Sequence, residues 1–162
     1  MVAPRLFEDF AVGLGFRSAG SVTVTADRIK SFAAEFDPQP FHLDDAAARA
    51  SAFGGLVASG WHTAAVAMRL ITESDLGLAG QGAGVAVESL RWLSPVRPGD
   101  ILRLEGTVTD ARPSRSRPDY GIVKFRIIVS SQNQVVLDGV HVVMVRRRAA
   151  SAGETAVAGW LA

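Results

Sequence analysis

Cysteine is missing from all 162 residues, which removes disulfides, thiol nucleophiles and thiolate zinc sites together. Histidine is nearly as scarce: His42, His62 and His141 are the only three, and no HExxH spacing suggests a metal-binding helix. No metal is expected. Neither sign of charge is in excess, with Lys+Arg 17 against Asp+Glu 16, so there is no basic footprint for nucleic acid or for an anionic membrane. Long apolar runs are absent too. The best stretch, residues 54–71, is broken by Ser59, His62 and Arg69 and falls short of the ~20 residues a bilayer span needs. Met1-Val2-Ala3-Pro4-Arg5 leads into the acidic Phe7-Glu8-Asp9-Phe10 without an apolar signal core, so the expected location is cytoplasmic.

What is present describes one globular domain. The chain is 48% hydrophobic and 20% charged, with 16 glycines and 7 prolines spread along its length, enough for one core and too little for two. The domain is expected over residues 1–148, followed by a small, neutral tail, residues 149–162, either disordered or docked through Trp160. Residues 16–25 favour a first strand. Ile29, Phe32, Ala33 and Phe36 then repeat at helical spacing, and Pro38 stops that helix near Asp37. Asp44 to Ala50 makes a short second helix with its carboxylates at the favourable end, and Phe53-Gly54-Gly55 breaks it. From Gly60 to about Leu76 comes a helix apolar on nearly every side, hence buried. The glycine-rich Gly77 to Gly84 reads as a flexible connection. Four strands follow, at residues 85–93, 101–109, 120–130 and 134–145, joined in antiparallel order by turns at Arg97-Pro98-Gly99-Asp100 and Gln132-Asn133 and by a basic loop. The fold class is α+β, an antiparallel sheet wrapped around a central buried helix. Its exposed Val- and Ile-rich edges call for a second chain, so a homodimer is expected.

Asp37-Pro38-Gln39-Pro40-Phe41-His42 carries the chemistry. The two prolines hold Asp37 and Gln39 out of the α region and make the segment stiff and non-helical. A stiff loop bearing Asp and His suits proton transfer, which needs a base within roughly 3 Å of its proton; the competing reading is a turn or cap with no catalytic role. Ala58-Ser59-Gly60-Trp61-His62 opens the apolar helix, where the first N–H groups lack partners and carry positive partial charge. Gly60 N–H can polarise a carbonyl there, or Ser59 simply caps the helix while Gly60 relieves crowding.

These residues, with Phe53-Gly54-Gly55-Leu56-Val57-Ala58-Ser59-Gly60 after them, resemble the hydratase motif of MaoC-like dehydratases, hotdog-fold proteins that include the (R)-specific enoyl-CoA hydratases. Phe7-Glu8-Asp9-Phe10 with Gly13, and Ser94-Pro95-Val96-Arg97-Pro98-Gly99-Asp100, resemble that family's entry segment and pre-strand turn, so the likeness runs over residues 7–147. It implies a hotdog fold and a hydro-lyase adding water across the C2=C3 bond of a 2-enoyl-CoA to give a (3R)-hydroxyacyl-CoA. Asp37 is then the base, His42 positions the water and helps deliver a proton to C2, Gly60 N–H holds the thioester oxygen, and Ser59 orients the pair. No cofactor is implied, since coenzyme A belongs to the substrate. Gln39 replaces the family's usual Asn, one methylene longer. Gln39, Phe41, Trp61 and His62 are expected to shape the acyl pocket, and Arg115 or Arg117 to meet the nucleotide phosphates across a dimer. Arg146-Arg147-Arg148 reads as a solubilising edge guard, and His141 as structural. Three alternatives remain: a hydratase for a branched or dicarboxylic enoyl-CoA, with Arg69 or His62 meeting the extra carboxylate; a non-catalytic acyl-CoA binding or assembly subunit; and a thioesterase, for which Glu73 lies too far along the helix. Two dimers pairing further is left open.

Overall fold

A computed structural model describes residues 4–78, 80–132 and 134–148; the expectations for the tail and for Asn133 lie outside them. A 3₁₀ turn, Phe7–Asp9, precedes β1 (Gly15–Arg17), β2 (Val22–Thr23), α1 (Ala26–Phe36), α2 (Pro40–Leu43), α3 (Asp45–Ala50), α4 (Gly60–Thr72), β3 (Gly82–Trp92), β4 (Ile101–Pro113), β5 (Tyr120–Ser131) and β6 (Gln134–Arg146). The sheet is antiparallel in the order β1-β4-β5-β6-β3, with β2 also paired to β4. The expected first strand is thus two short ones on the same neighbour. Between them Ser18 still bonds Leu104 of β4 through its N–H and its hydroxyl oxygen, while also bridging to Ser74 and donating its hydroxyl to the Gly20 carbonyl.

β5 shows how the sheet covers the helix. Val123, Phe125, Ile127 and Val129 are buried, while the intervening Lys124, Arg126, Ile128 and Ser130 are not, the alternation of a sheet with one face on the core. The inner face packs against Val66, Ala67, Leu70 and Ile71 of α4. Each Val, Leu, Ile or Phe side chain so taken from water contributes about 1.5–3 kcal/mol. Phe125 anchors the centre, with Phe16 edge-on at 5.5 Å.

α4 is not buried all round. Trp61 is 61% exposed, and Ala65 and Met68 also lie open to solvent, because the sheet and α1 cover only the side that carries His62, Thr63, Val66, Ala67, Leu70 and Ile71. The helix ends at Thr72, four residues earlier than expected, where Glu73 caps it and pairs with Arg69 at 2.9 Å. In α1, Ile29 and Ala33 reach the core but Phe36 is 63% exposed, since nothing beyond the last turn covers it. The glycine-rich connection is shorter than expected, as Gly82 and Gly84 pair with β6. Arg147 and Arg148 are more than edge guards: they bond Glu8 and Asp9 of the N-terminal turn at 3.2 and 2.9 Å. The Arg148 N–H on Glu8 and the Leu6 N–H on Asp9, and after them the arginine side chains, hold both carboxyls below their usual range.

Candidate active site

α1 delivers Asp37. Thr25 caps the helix start by accepting from Arg28 N–H, and Asp37 is the C-cap, its own N–H still donating to the Ala33 carbonyl at 3.0 Å. The next residues do not stay extended. Pro40 opens the helical turn α2, with Gln39 carbonyl accepting from His42 N–H at 2.9 Å. The expectation of a non-helical segment fails here because a proline at the first helical position loses no hydrogen bond, and its fixed φ is helical. This turn points His42 inward. Phe41 lies edge-on to His42 at 4.5 Å and packs on Phe53 at 5.3 Å, wedging the imidazole in place.

The His42 ring is buried, and its Nδ1 lies 2.7 Å from the Val57 carbonyl oxygen. A carbonyl only accepts, so Nδ1 must carry the proton, and in the neutral ring the Nε2 lone pair is free. Nε2 faces Asp37 Oδ2 at 3.5 Å. Two acceptors set that far apart do not bond one another, but a single water can donate one hydrogen to each, leaving its oxygen lone pairs available. Asp37 Oδ2 also accepts from Ser59 Oγ–H at 2.6 Å. That length is typical of a hydroxyl on a carboxylate.

Ser59, fully buried, is at once the N-cap of α4, accepting from Trp61 N–H at 3.2 Å. Its hydroxyl thus caps the helix and donates to Asp37 at the same time. Gly60 N–H meets no acceptor among the described residues, at the positive end of a 13-residue helix. Trp92, at the end of β3, packs closely on Gly60. A Cβ at position 60 would stand 2.8 Å from the indole ring, whose Nε1–H donates to Gly60 carbonyl oxygen at 2.7 Å.

The other expected residues divide. Gln39 is exposed and makes no side-chain bond in its capping position. Trp61 stacks edge-on to Trp92 at 5.3 Å, on the open side of α4. His62 turns the other way, buried and stacked on Phe32 at 4.9 Å, with Nδ1 unpartnered. Burial, helped by the charge of Arg28, lowers its pKa. Arg115 and Arg117 sit in the β4–β5 loop, where Arg117 lies over Tyr120 at 6.0 Å. That loop is at the far end of β4 from the Ile101–Leu102 end that pairs β2, so one protomer does not bring these arginines to Asp37. Val57 and Trp92 were not foreseen. The first acts through its backbone, which no side-chain pattern reports, and the second lies 32 residues from Gly60; an obligatory glycine at the helix start was its only trace.

A sheet laid against one central helix, with an Asp and a His held over the helix N-terminus, defines a hotdog protein of the dehydratase type. The sequence profile of the MaoC like domain matches residues 9–130, and the chain belongs to that family. Among solved structures it is similar to the MaoC-like dehydratase of Rhodospirillum rubrum, 51% identical, with TM-score 0.82 over 89% of this chain and 98% of that one. Of the curated proteins, the uncharacterized YdeM of Bacillus subtilis is 33% identical over 86% of this chain and 98% of its own. The 3-hydroxybutyryl-CoA dehydratase of Methylorubrum extorquens is 29% identical over 88% and 85%.

Proposed function

We propose that the protein is an enoyl-CoA hydratase, adding water reversibly across the C2=C3 bond of a 2-enoyl-CoA to give the (3R)-hydroxyacyl-CoA. The observation that carries this reading is the pair of acceptors, Asp37 Oδ2 and His42 Nε2, 3.5 Å apart beside an unpartnered Gly60 N–H. Water held between the two acceptors presents its oxygen to C3. As the C3–O bond forms, Asp37 takes one proton from the water, the π electrons move toward the thioester, and Gly60 N–H stabilises the developing oxyanion. The proton taken by Asp37 passes to the facing His42 Nε2 and from there to C2 on the same face, which restores the carboxylate and completes the addition of H and OH. Losing such an oxyanion donor costs about 3–4 kcal/mol in barrier height. The named activity of the Methylorubrum relative is the same step read in the dehydration direction, which supports the reading. No cofactor takes part in it.

We further propose that the protein works as a homodimer. β3 is an edge strand with Val85 and Val87 each 52% exposed, and α4 beside it leaves Trp61, Ala65 and Met68 uncovered. A second copy would cover both, and would bring its Arg115 and Arg117 loop within reach of the phosphates that one protomer cannot serve.

The test is hydration of trans-2-enoyl-CoA thioesters of increasing length, with Asp37→Asn alongside and the product enantiomer resolved. Turnover to the R product, reduced about 10²–10⁴-fold in a folded Asp37→Asn protein, is the expected result. Acyl-CoA binding without turnover on any member would overturn it in favour of a binding subunit.

A further inference from the structure

Trp92 is tied to Asp37 by an unbroken chain of hydrogen bonds. Its indole Nε1–H donates to Gly60 carbonyl oxygen at 2.7 Å. That carbonyl shares a peptide unit with Trp61 N–H, which donates to Ser59 Oγ at 3.2 Å. Ser59 Oγ–H in turn donates to Asp37 Oδ2 at 2.6 Å. Every donor in the series points the same way, toward the carboxylate.

A carbonyl that accepts a hydrogen bond makes its own peptide N–H a stronger donor, and a hydroxyl that accepts one gives up its own hydrogen more readily; such chains reinforce themselves by about 10–30% per bond. The geometry also keeps the chain rigid. Gly60 leaves room for the indole to lie against the helix, where any Cβ would come within 2.8 Å of the ring, and Trp61 braces the same ring from the side at 5.3 Å. Packing alone would be served by any flat aromatic ring at position 92. The aligned N–H is the feature packing does not require.

We propose that Trp92 is a positioning residue for the candidate active site: through the Gly60–Trp61 peptide and Ser59 it orients and stabilises the Asp37 carboxylate. It touches no reacting atom. The inference rests on the hydratase reading for its kinetic consequence, though not for the bond network itself.

Trp92→Phe keeps an aromatic ring at position 92 while removing the N–H and part of the indole that packs on Gly60, so the double variant and the indole resonance separate the lost bond from the lost volume. The expected result is a three- to tenfold lower kcat, the size of one modest hydrogen bond, with KM within about twofold of the parent. Ser59→Ala should remove the route, so the Ser59→Ala/Trp92→Phe double variant should match Ser59→Ala alone within about twofold. An unchanged kcat in Trp92→Phe, or effects of the two substitutions that multiply, would overturn the proposal. A second readout needs no turnover. In the ¹⁵N-labelled protein, the Trp92 indole N–H resonance, identified by its loss in Trp92→Phe, should move in both Ser59→Ala and Asp37→Asn. If neither substitution moves it, the relay is wrong whether or not the protein hydrates enoyl thioesters. Absence of turnover with a responsive indole would instead overturn the hydratase reading and leave the relay standing.

Discussion

His42 is decided by a carbonyl. Because Val57 oxygen claims the Nδ1 hydrogen, Nε2 is the nitrogen that faces Asp37, and in the neutral ring its lone pair makes the two groups a cradle for a donor. Removing either acceptor should abolish that cradle. His42→Ala is expected to lower kcat by about 10²–10⁴-fold and to lower the melting temperature as well, since the ring also fills the space beside Phe41; kinetics and thermal unfolding measured on the same preparation check both. His62 and His141 act on stability. Each is buried, His62 stacked on Phe32 and His141 on Phe125 at 5.7 Å, and burial lowers both pKa values. In the unfolded chain they titrate near the ordinary value of about 6.5, so below that pH the unfolded state binds protons the native state does not. Stability is then complete above about pH 6.5 and falls as pH drops toward the lowered native values. Thermal unfolding from pH 8 to pH 5 should show this decline, and His62→Phe or His141→Phe should flatten it.

At the scale of elements, the first turn of α4 is where helix propensity and packing oppose one another. Alanine is favoured over glycine inside a helix by up to about 1 kcal/mol. At position 60, however, the added methyl would stand 2.8 Å from Trp92, and overpacking costs about 1–3 kcal/mol. Packing should win. Gly60→Ala is expected to lower the melting temperature by a few degrees and to shift tryptophan emission as the indole is displaced; an unchanged spectrum with a higher melting temperature would contradict this. α1, α3 and the turn of β4 were legible from local chemistry, because their caps are near in sequence: Thr25 to Arg28, Asp44 to Ala47, and Asp100 to Arg97 N–H at 2.7 Å. α2 was not, since the rule that prolines oppose helices gives way at the first helical position. The exposed side of α4 was missed for another reason. An apolar face marks a surface that some partner must cover, and the pattern does not say whether that partner lies in the same chain.

The whole molecule leaves two of its surfaces unequal. The outer face of the sheet is furnished with charge, including a bidentate Arg126–Asp138 pair at 2.7 and 2.9 Å that holds the Asp138 carboxyl below its usual range. The β3 edge carries Val85 and Val87, and between α4, β3 and β6 lies a cavity of about 400 Å³ bordered by Met68, Val87 and His141. Long apolar edges are usually protected by charge; β3 has Glu88 and Arg91 in its second half, but its first half, residues 82–87, has none. Val85→Lys/Val87→Lys should therefore convert the proposed dimer to a monomer in light scattering at micromolar concentration, and an unchanged mass would place the interface elsewhere. Among the described residues no helix is long and apolar enough to cross a membrane.

Local order in the chain determined most of the elements, α2 and the split first strand excepted, together with the family motif and the candidates Asp37, His42, Ser59 and Gly60, because caps, turns and proline effects act over a few residues. Tertiary structure decided what those groups are to one another. The 3.5 Å gap between Asp37 and His42, the proton forced onto Nδ1 by Val57, the hydroxyl from 22 residues away and the indole over Gly60 all depend on where α1, α4 and β3 come to rest. Hydrogen bonds and packing are functions of distance in space, and the spacing of residues along the chain carries that distance only within a single element.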